Sequence, residues 1–538
     1  MKKIINLLDQ DVAASHLLDG WGSYEERHRW TVSPEARLRI GREEIPSGAF
    51  RLRVQCEPYL ARGRLARQTV DILINGVHLA RWAVNSPGWQ EALFDDQTAV
   101  DGDLVVTIRV SDPLSPFELK FSSDRRRLGL SIGAIEIIEE PHEHFDLAGS
   151  ELEWIGKGAD PIGDVFKRSG NFYRAIKKVA EPFVRTLISR GVYRELAQRK
   201  LIPEHQFLDI NNEKYALVAR TRPGIFVYPS NFPLETMRDA ALVWLTISDY
   251  LIDLDVRYGL IDGHYGNFAL FDNSRPMWVD IGSISDGRVE FGSPVFGLNQ
   301  FIQCYVYPLL MLSHGSAGTA EIRETMLQQP NGITSEQFHA LGISDQGLGQ
   351  ILPVTSNEAR RTVLRKLREI VEDLSFESIA GYWSGYRNVQ TLELAMQGKL
   401  LEPNQDSRFR AVMDLVRRSR ASKFLDIGAN DGLFSLLCVR SGLQGIAVDL
   451  DDFALNKLYT FIAPRADVTL ATSYGSFLKV PHVSELVLAL AISHHLYLSQ
   501  GLSFEKISET LAKNSSRVAI TEFMTRRSAK TTGHELGN

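Results

Sequence analysis

From about residue 25 to about residue 140 apolar and polar positions alternate in short runs: ARLRI (36–40), AFRLRVQ (49–55), TVDILI (69–74), VHLARWAV (77–84), DLVVTIRV (103–110) and LSIGAIEII (130–138). A period of two sends successive side chains to opposite faces, so these runs predict half-buried strands. Asn75-Gly76 between two of them predicts a tight hairpin. With no amphipathic helix between the runs, the segment reads as an all-β sandwich. After a polar stretch (139–151) the period changes. In EPFVRTLISRGVYRELAQRK (181–200) and ETMRDAALVWLTISDYLIDL (235–254) apolar residues recur three or four apart, as helices require. A strand pair, HQFLDI and KYALVART joined by Asn211-Asn212, lies between them. Near residue 395 the pattern changes again. A helix (407–420) precedes KFLDIGANDGLFSLLCVRSGLQGIAVDLDD (423–452), which reads strand, glycine turn, helix, strand. ELVLALAISHHL (485–496) and RVAITEF (517–523) predict a fourth and fifth strand of the same sheet.

Length and composition agree with several cores. At about 150 residues per domain, 538 residues predict three or four; the periodicity divides them as 1–145, 146–394 and 395–538. An apolar fraction of 44% with 23% charged residues excludes global disorder. Sixty Lys+Arg against 66 Asp+Glu give a formal charge of −6 with no strongly basic block, which argues against a nucleic-acid partner. Cys56, Cys304 and Cys438 are far apart, which excludes a CxxC metal or redox motif. The stretch Ile4–Leu8 is short for a signal peptide and is cut by Asp9, and no apolar run is expected to span the roughly 18 residues of a membrane helix. The expectation is a cytoplasmic chain without a transmembrane segment.

The first chemical constellation is LIDGHYGNFALFDNSRPMWVDIGSIS (260–285). Asp262, Asn267 and Asp280 stand at spacings that resemble those of protein kinases and small-molecule phosphotransferases. The D-x-H-x-x-N form, with His264, is similar to the aminoglycoside-phosphotransferase branch. The resemblance implies that Asp262 orients an acceptor hydroxyl, while Asn267 and Asp280 hold Mg²⁺ on the phosphates of ATP. No GxGxxG loop precedes them and no VAIK lysine is present. In FYRAIKK, Arg174 falls at or near the phosphate-contacting lysine position, with Glu195 in the next helix as its expected ion-pair partner. Two readings stay open: live phosphoryl transfer, and a degenerate kinase fold kept as a scaffold.

The second constellation is LDIGANDG (425–432), which resembles motif I of class I S-adenosylmethionine-dependent methyltransferases. Asp426, Gly428, Asn430 and Gly432 would then bring the backbone close to the cofactor at the strand end. Asp449, about 20 residues on, would accept hydrogen bonds from the ribose hydroxyls. The glycine offsets of a GxGxxG fingerprint are absent, which makes NAD the weaker alternative. His494 and His495 follow the predicted fourth strand. One reading has an imidazole deprotonate the acceptor hydroxyl; the other has one histidine cap the next helix and the other pack. Glu522, at the fifth strand's end, is either a substrate-side acid or a solvated loop residue.

Taken together, FVYPSNFPLETMRDAALVWL (226–245), GHYGNFALFDNSRPMWVDIGS (263–283) and LVLALAISHHL (486–496) resemble a family of bacterial class I methyltransferases related to a rhizobial nodulation protein, whose members join a kinase-like region to a methyltransferase domain. The run Ser123–Gly129 within SDPLSPFEL…SSDRRRLGLSIGAIEI resembles a β-sandwich module attached to surface-polysaccharide enzymes. Trp21, Tyr24, Trp30, Tyr59, Trp82 and Trp89 would either stack on sugar rings or fill the sandwich core. The implied activity is methyl transfer from S-adenosylmethionine to a bacterial surface or signalling glycan or glycolipid. A glycan kinase using ATP and Mg²⁺ and a non-catalytic scaffold of polysaccharide assembly are the alternatives. The 15 residues after Phe523, ending in SAKTTGHELGN, are short and polar for the last strands of a Rossmann-like methyltransferase sheet. The expectation is a sheet that lacks that edge, one completed by a partner protein or second subunit, or a sequence that is a fragment.

Overall fold

A computed structural model describes residues 2–522 apart from 26–27, 46–49, 66, 95–102, 140–146, 148–151, 156, 159, 169–170, 211, 222–225, 272–274, 289–290, 316–317, 330, 349–355, 377–388 and 466–467. The stretch predicted to join the first two domains falls largely outside the described residues, as do Asn211 and the tail from Phe523. The chain divides into two compact units, residues 1–145 and 146–538. Both all-antiparallel and parallel sheets occur, so the protein is mixed α/β.

In the first unit each predicted run is a strand. Glu35–Ile40, Leu104–Val110, Gln68–Ile74 and Val77–Val84 form one antiparallel sheet in that order. Phe50–Pro58 and Leu130–Glu139 are central in a second, whose other strands are Lys2–Asn6, Trp21–Glu25, His28–Thr31 and Gly88–Phe94. Leu52 and Val54 of one sheet and Val70, Ile72, Val106 and Ile108 of the other are fully buried in one shared core, each side chain contributing about 1.5–3 kcal/mol. Asn75 (φ 49°) and Gly76 (φ 82°) are both left-handed, the backbone a two-residue hairpin needs. The run tested as a signal peptide is an edge strand paired with Leu130–Glu139. The aromatic residues do not form one platform. Trp82 is buried and its Nε1 donates to the Glu91 carbonyl (3.0 Å), Trp21 Nε1 donates to the Arg37 carbonyl (2.7 Å), and the Arg53 guanidinium lies 4.8 Å from the Trp89 ring.

The second unit opens with a five-stranded antiparallel sheet ordered Glu153–Ile155, Gly163–Arg168, Asn171–Lys177, Tyr215–Thr221, His205–Asp209. The expected single helix over 181–200 is two, Glu181–Ser189 and Val192–Gln198, because Gly191 turns left-handed (φ 71°) and breaks the hydrogen-bond ladder. Leu234–Leu254 forms as one long helix, with Trp244 and Leu245 on its buried side. One sequence expectation is overturned: Pro294–Ser313 is long and apolar enough to cross a membrane. Most of it is buried inside this unit, where Leu298, Phe301, Tyr305 and Leu310 pack into the core.

The rest of the unit carries a five-stranded parallel sheet ordered Leu470–Tyr474, Gln444–Asp449, Lys423–Ile427, Ser484–Ala489, Ser515–Thr521. Helix Val389–Met396 straddles residue 394, and its Leu392 and Ala395 pack with Leu436 and Leu437 of this α/β region. One continuous core holds Trp244, Trp278 and Phe301 from the central region together with Leu425, Ile427, Val448 and Val487 from the parallel sheet. Trp244 stacks on Phe301 at 4.2 Å, and its Nε1 donates to the Asp262 carbonyl (3.1 Å). Trp244→Ala removes both contacts, and we expect it to destabilise the chain by roughly 3–5 kcal/mol in denaturant unfolding; a loss below about 1 kcal/mol would contradict this packing.

Candidate functional site

Two groups of predicted residues are brought together, one in each part of the second unit. In the parallel sheet, the turn after Lys423–Ile427 is held by Gly428 and Ala429, whose N–H groups both donate to the Val448 carbonyl (2.8 and 3.0 Å). Gly428 has φ 75°, and a Cβ there would come within 2.3 Å of Ile492. Gly432 has φ 74°, and a Cβ there would come within 2.4 Å of Leu458. A side chain at either position would be strained, and Ile492 or Leu458 would have to shift to admit it. Asn430 donates its N–H to Asp449 Oδ2 (2.7 Å), and Asp451 donates its N–H to Asp449 Oδ1 (2.9 Å). Each carboxylate oxygen keeps a lone pair for a further donor. Asp449 therefore stands at the carboxyl end of its strand, beside the glycine turn, where open α/β sheets bind ligands. Burial raises its pKa against the backbone N–H groups of Asp451, Asn430 and Leu450.

Asp426 lies deeper. Its Oδ2 accepts from the fully buried Ser435 hydroxyl (2.7 Å), and burial pushes its pKa up to about 7. It fixes the strand-to-helix turn from inside, a role its place in the motif did not distinguish from ligand contact. Ile492, which closes on Gly428, leads to His494 and His495, whose rings lie 4.0 Å apart. His494 is buried and His495 half-buried. His494 precedes the short π-helical turn His495–Ser499 and makes no side-chain capping bond to it. Glu522 is half-buried, and the guanidinium of Arg408, from helix Ser407–Ser419, grips both of its oxygens.

In the central region, Arg174, Asp262, Asn267 and Asp280 line one cavity of about 570 Å³. Arg174 bridges two carboxylates, Asp160 and Asp280. Burial pushes the Asp280 carboxyl up to about 6 although Arg174 acts against it. The expected Arg174–Glu195 pair is absent. Glu195 points away, is half-exposed, and accepts from the Tyr250 hydroxyl (2.8 Å). Tyr193, on the same short helix, is buried, and burial raises its hydroxyl pKa. Asp262 Oδ1 accepts from the His264 N–H (2.7 Å), and His264 Nδ1 accepts from the Gly266 N–H (2.9 Å), which shapes the loop leading to Asn267. Asn267 Nδ2 is buried without a hydrogen-bond partner among the described residues. No cluster of three or more His, Cys, Asp or Glu suited to a metal occurs among the described residues. One carboxylate and one amide still suit Mg²⁺, which takes few protein oxygens and several from phosphates and water. Asp160 was missed because its role comes from chain segments that meet only in the fold.

No protein-family model matches the chain, and no curated protein does. Solved structures that resemble parts of it include the bifunctional kinase-methyltransferase WbdD, at 18% identity over 27% of this chain and 32% of that one, TM-score 0.21. The matched part is thus about a third of WbdD's length. Another is the magnesium protoporphyrin IX methyltransferase ChlM from Synechocystis PCC 6803 with bound SAH, at 14% identity over 33% of this chain and 78% of that one, TM-score 0.22. A carbohydrate-binding module, CBM36, in complex with calcium and xylotriose, matches at 12% identity over 25% of this chain and 98% of that one, TM-score 0.17. At these scores the functional reading rests on the chain's own geometry.

The raised Asp426 gives a signed prediction. Between its ordinary value of 3.8 and about 7 the folded chain holds a proton that the unfolded chain has released, so this group's contribution to stability falls as pH rises through that window. Asp426→Asn removes the titration. Thermal unfolding at about pH 5 and about pH 8 is expected to show the wild type losing stability relative to the variant at the higher pH. An equal difference at both would contradict a neutral, buried Asp426.

Proposed function

We propose that the protein is an S-adenosylmethionine-dependent methyltransferase acting on a glycan or glycoconjugate, with a fused kinase-like region. The observation that carries this reading is the glycine turn of the parallel sheet. Gly428 and Gly432 hold left-handed backbone angles that side chains rarely adopt, and the intervening Asn430 N–H is bonded to Asp449, the acid at the next strand's end. That arrangement fits a ribosylated cofactor. The backbone of 428–432 would lie against it, and Asp449 would accept from its ribose hydroxyls through lone pairs that its backbone donors leave open. When bound, S-adenosylmethionine supplies an electrophilic sulfonium methyl group. The chain's own residues would hold cofactor and acceptor in register, which accounts for most of the rate gain in such a transfer. His495, the less buried of the pair, would take the acceptor hydroxyl's proton on a ring nitrogen. The glycan acceptor is suggested by the sequence resemblance.

A second reading, phosphoryl transfer, is favoured by a different observation: Arg174, Asp262, Asn267 and Asp280 line the same cavity. Asp262 would orient the acceptor hydroxyl, and Asn267 and Asp280 would hold Mg²⁺. Arg174 occupies Asp280 in the structure described, so metal binding there requires that ion pair to open.

Isothermal titration of the full chain with S-adenosylmethionine is expected to give binding in the micromolar range, weakened at least about tenfold by Asp449→Ala. No heat from the folded wild type at high micromolar ligand would sink the first reading. For the second, thermal stabilisation by ATP with Mg²⁺ is expected, and it should vanish in Asp280→Ala; indifference of the wild type to both would exclude phosphoryl transfer.

A further inference from the structure

We propose that the kinase-like region completes the nucleotide site of the α/β region, with Arg323 and Asn231 acting as positioning residues for Asp449. The inference rests on the methyltransferase reading and deepens it. Arg323, on helix Thr319–Gln328, is only 5% exposed. Its guanidinium makes a two-pronged pair with Asp452 (2.8 and 2.7 Å), donates to the Phe232 carbonyl (2.7 Å), and lies 3.8 Å from the Tyr474 ring centroid. Asn231 Nδ2 donates to the Tyr474 carbonyl (2.8 Å).

Both anchored residues adjoin Asp449. Tyr474 is its direct partner across the parallel pair, and the next residue, Gly475, donates its N–H to the Asp449 carbonyl (2.9 Å). Asp452 opens the helix Asp452–Ile462 just after Asp451, whose N–H holds Asp449 Oδ1. The two segments that leave the carboxyl ends of the second and third strands are therefore clamped from outside by central-region side chains. Ligands of open α/β sheets sit at those ends, so whatever fixes the segments also fixes the ribose-binding acid before the cofactor arrives. Such preorganisation raises affinity by removing an ordering cost from binding. Lysine cannot replace Arg323: it lacks the planar fork that engages both Asp452 oxygens and the flat face that lies on Tyr474.

The test measures the dissociation constant of S-adenosylhomocysteine by titration calorimetry on the full chain, with ligand-free thermal midpoints alongside. The variants are Asn231→Ala and Arg323→Lys. The expected result is a Kd raised about fivefold by Asn231→Ala and about tenfold or more by Arg323→Lys, in proteins that remain folded. Asn231→Ala removes one hydrogen bond and keeps the test decisive if the arginine variant unfolds. Wild-type binding that both variants retain within about twofold, whatever their midpoints, makes the clamp merely structural and overturns this inference alone. Absence of binding by the wild type overturns the methyltransferase reading and this inference with it.

Discussion

Removing either partner of the Arg323–Asp452 pair would strand a charge away from water, at a cost of roughly 3–5 kcal/mol. Both groups are about 95% buried, and each comes from a different part of the second unit. The pair is therefore a constraint as much as an attraction: the central and α/β regions must meet in this register or leave a buried ion unmet. The apolar core agrees with it. Tryptophans and phenylalanines of the central region share one cluster with strand residues of the parallel sheet, so the two regions share a core. Other contacts follow the same seam, among them Glu235 N–H to Asn456 Oδ1 (3.0 Å) and the Tyr459 hydroxyl to Asp239 (2.5 Å).

The two candidate sites treat their carboxylates differently. Asp280 is buried with a cation on it, and its tendency to stay protonated is opposed by Arg174. Asp426 is buried against the hydroxyl and backbone N–H of Ser435, and burial dominates. Asp449 accepts two backbone N–H groups at the sheet's mouth. Asp280 is engaged by Arg174, Asp426 braces the turn through Ser435, and Asp449 is held by the N–H groups beside the glycine turn.

Much of this was legible along the chain wherever the physics is local. Alternation fixed the strands 35–40, 68–74, 77–84 and 104–110 to within a residue or two, because one face of each is buried. Asn75-Gly76 and LDIGANDG were readable because positive φ is strongly residue-specific. The break at Gly191 carried the same signal, but the helical period on either side masked it. The edge strands Lys2–Asn6 and Gly88–Phe94 carried weaker patterns, their partners being set by distant segments.

The sequence by itself determined the strands whose alternation is strong, the long helix Leu234–Leu254 and the turns at Asn75-Gly76 and LDIGANDG, and it singled out Asp262, Asn267, Asp280, Asp426 and Asp449 as candidates. Those properties depend on neighbours a few positions away. Only the tertiary structure decided who faces whom: that Arg174 bridges Asp160 and Asp280 while Glu195 turns out to Tyr250. It also decided that Glu522 belongs to Arg408, that an apolar run long enough for a membrane is core, and that Arg323 reaches Asp452 across 129 positions of sequence. Such pairings are chosen by the cost of burying charge and apolar surface in three dimensions, and that cost has no period along the chain.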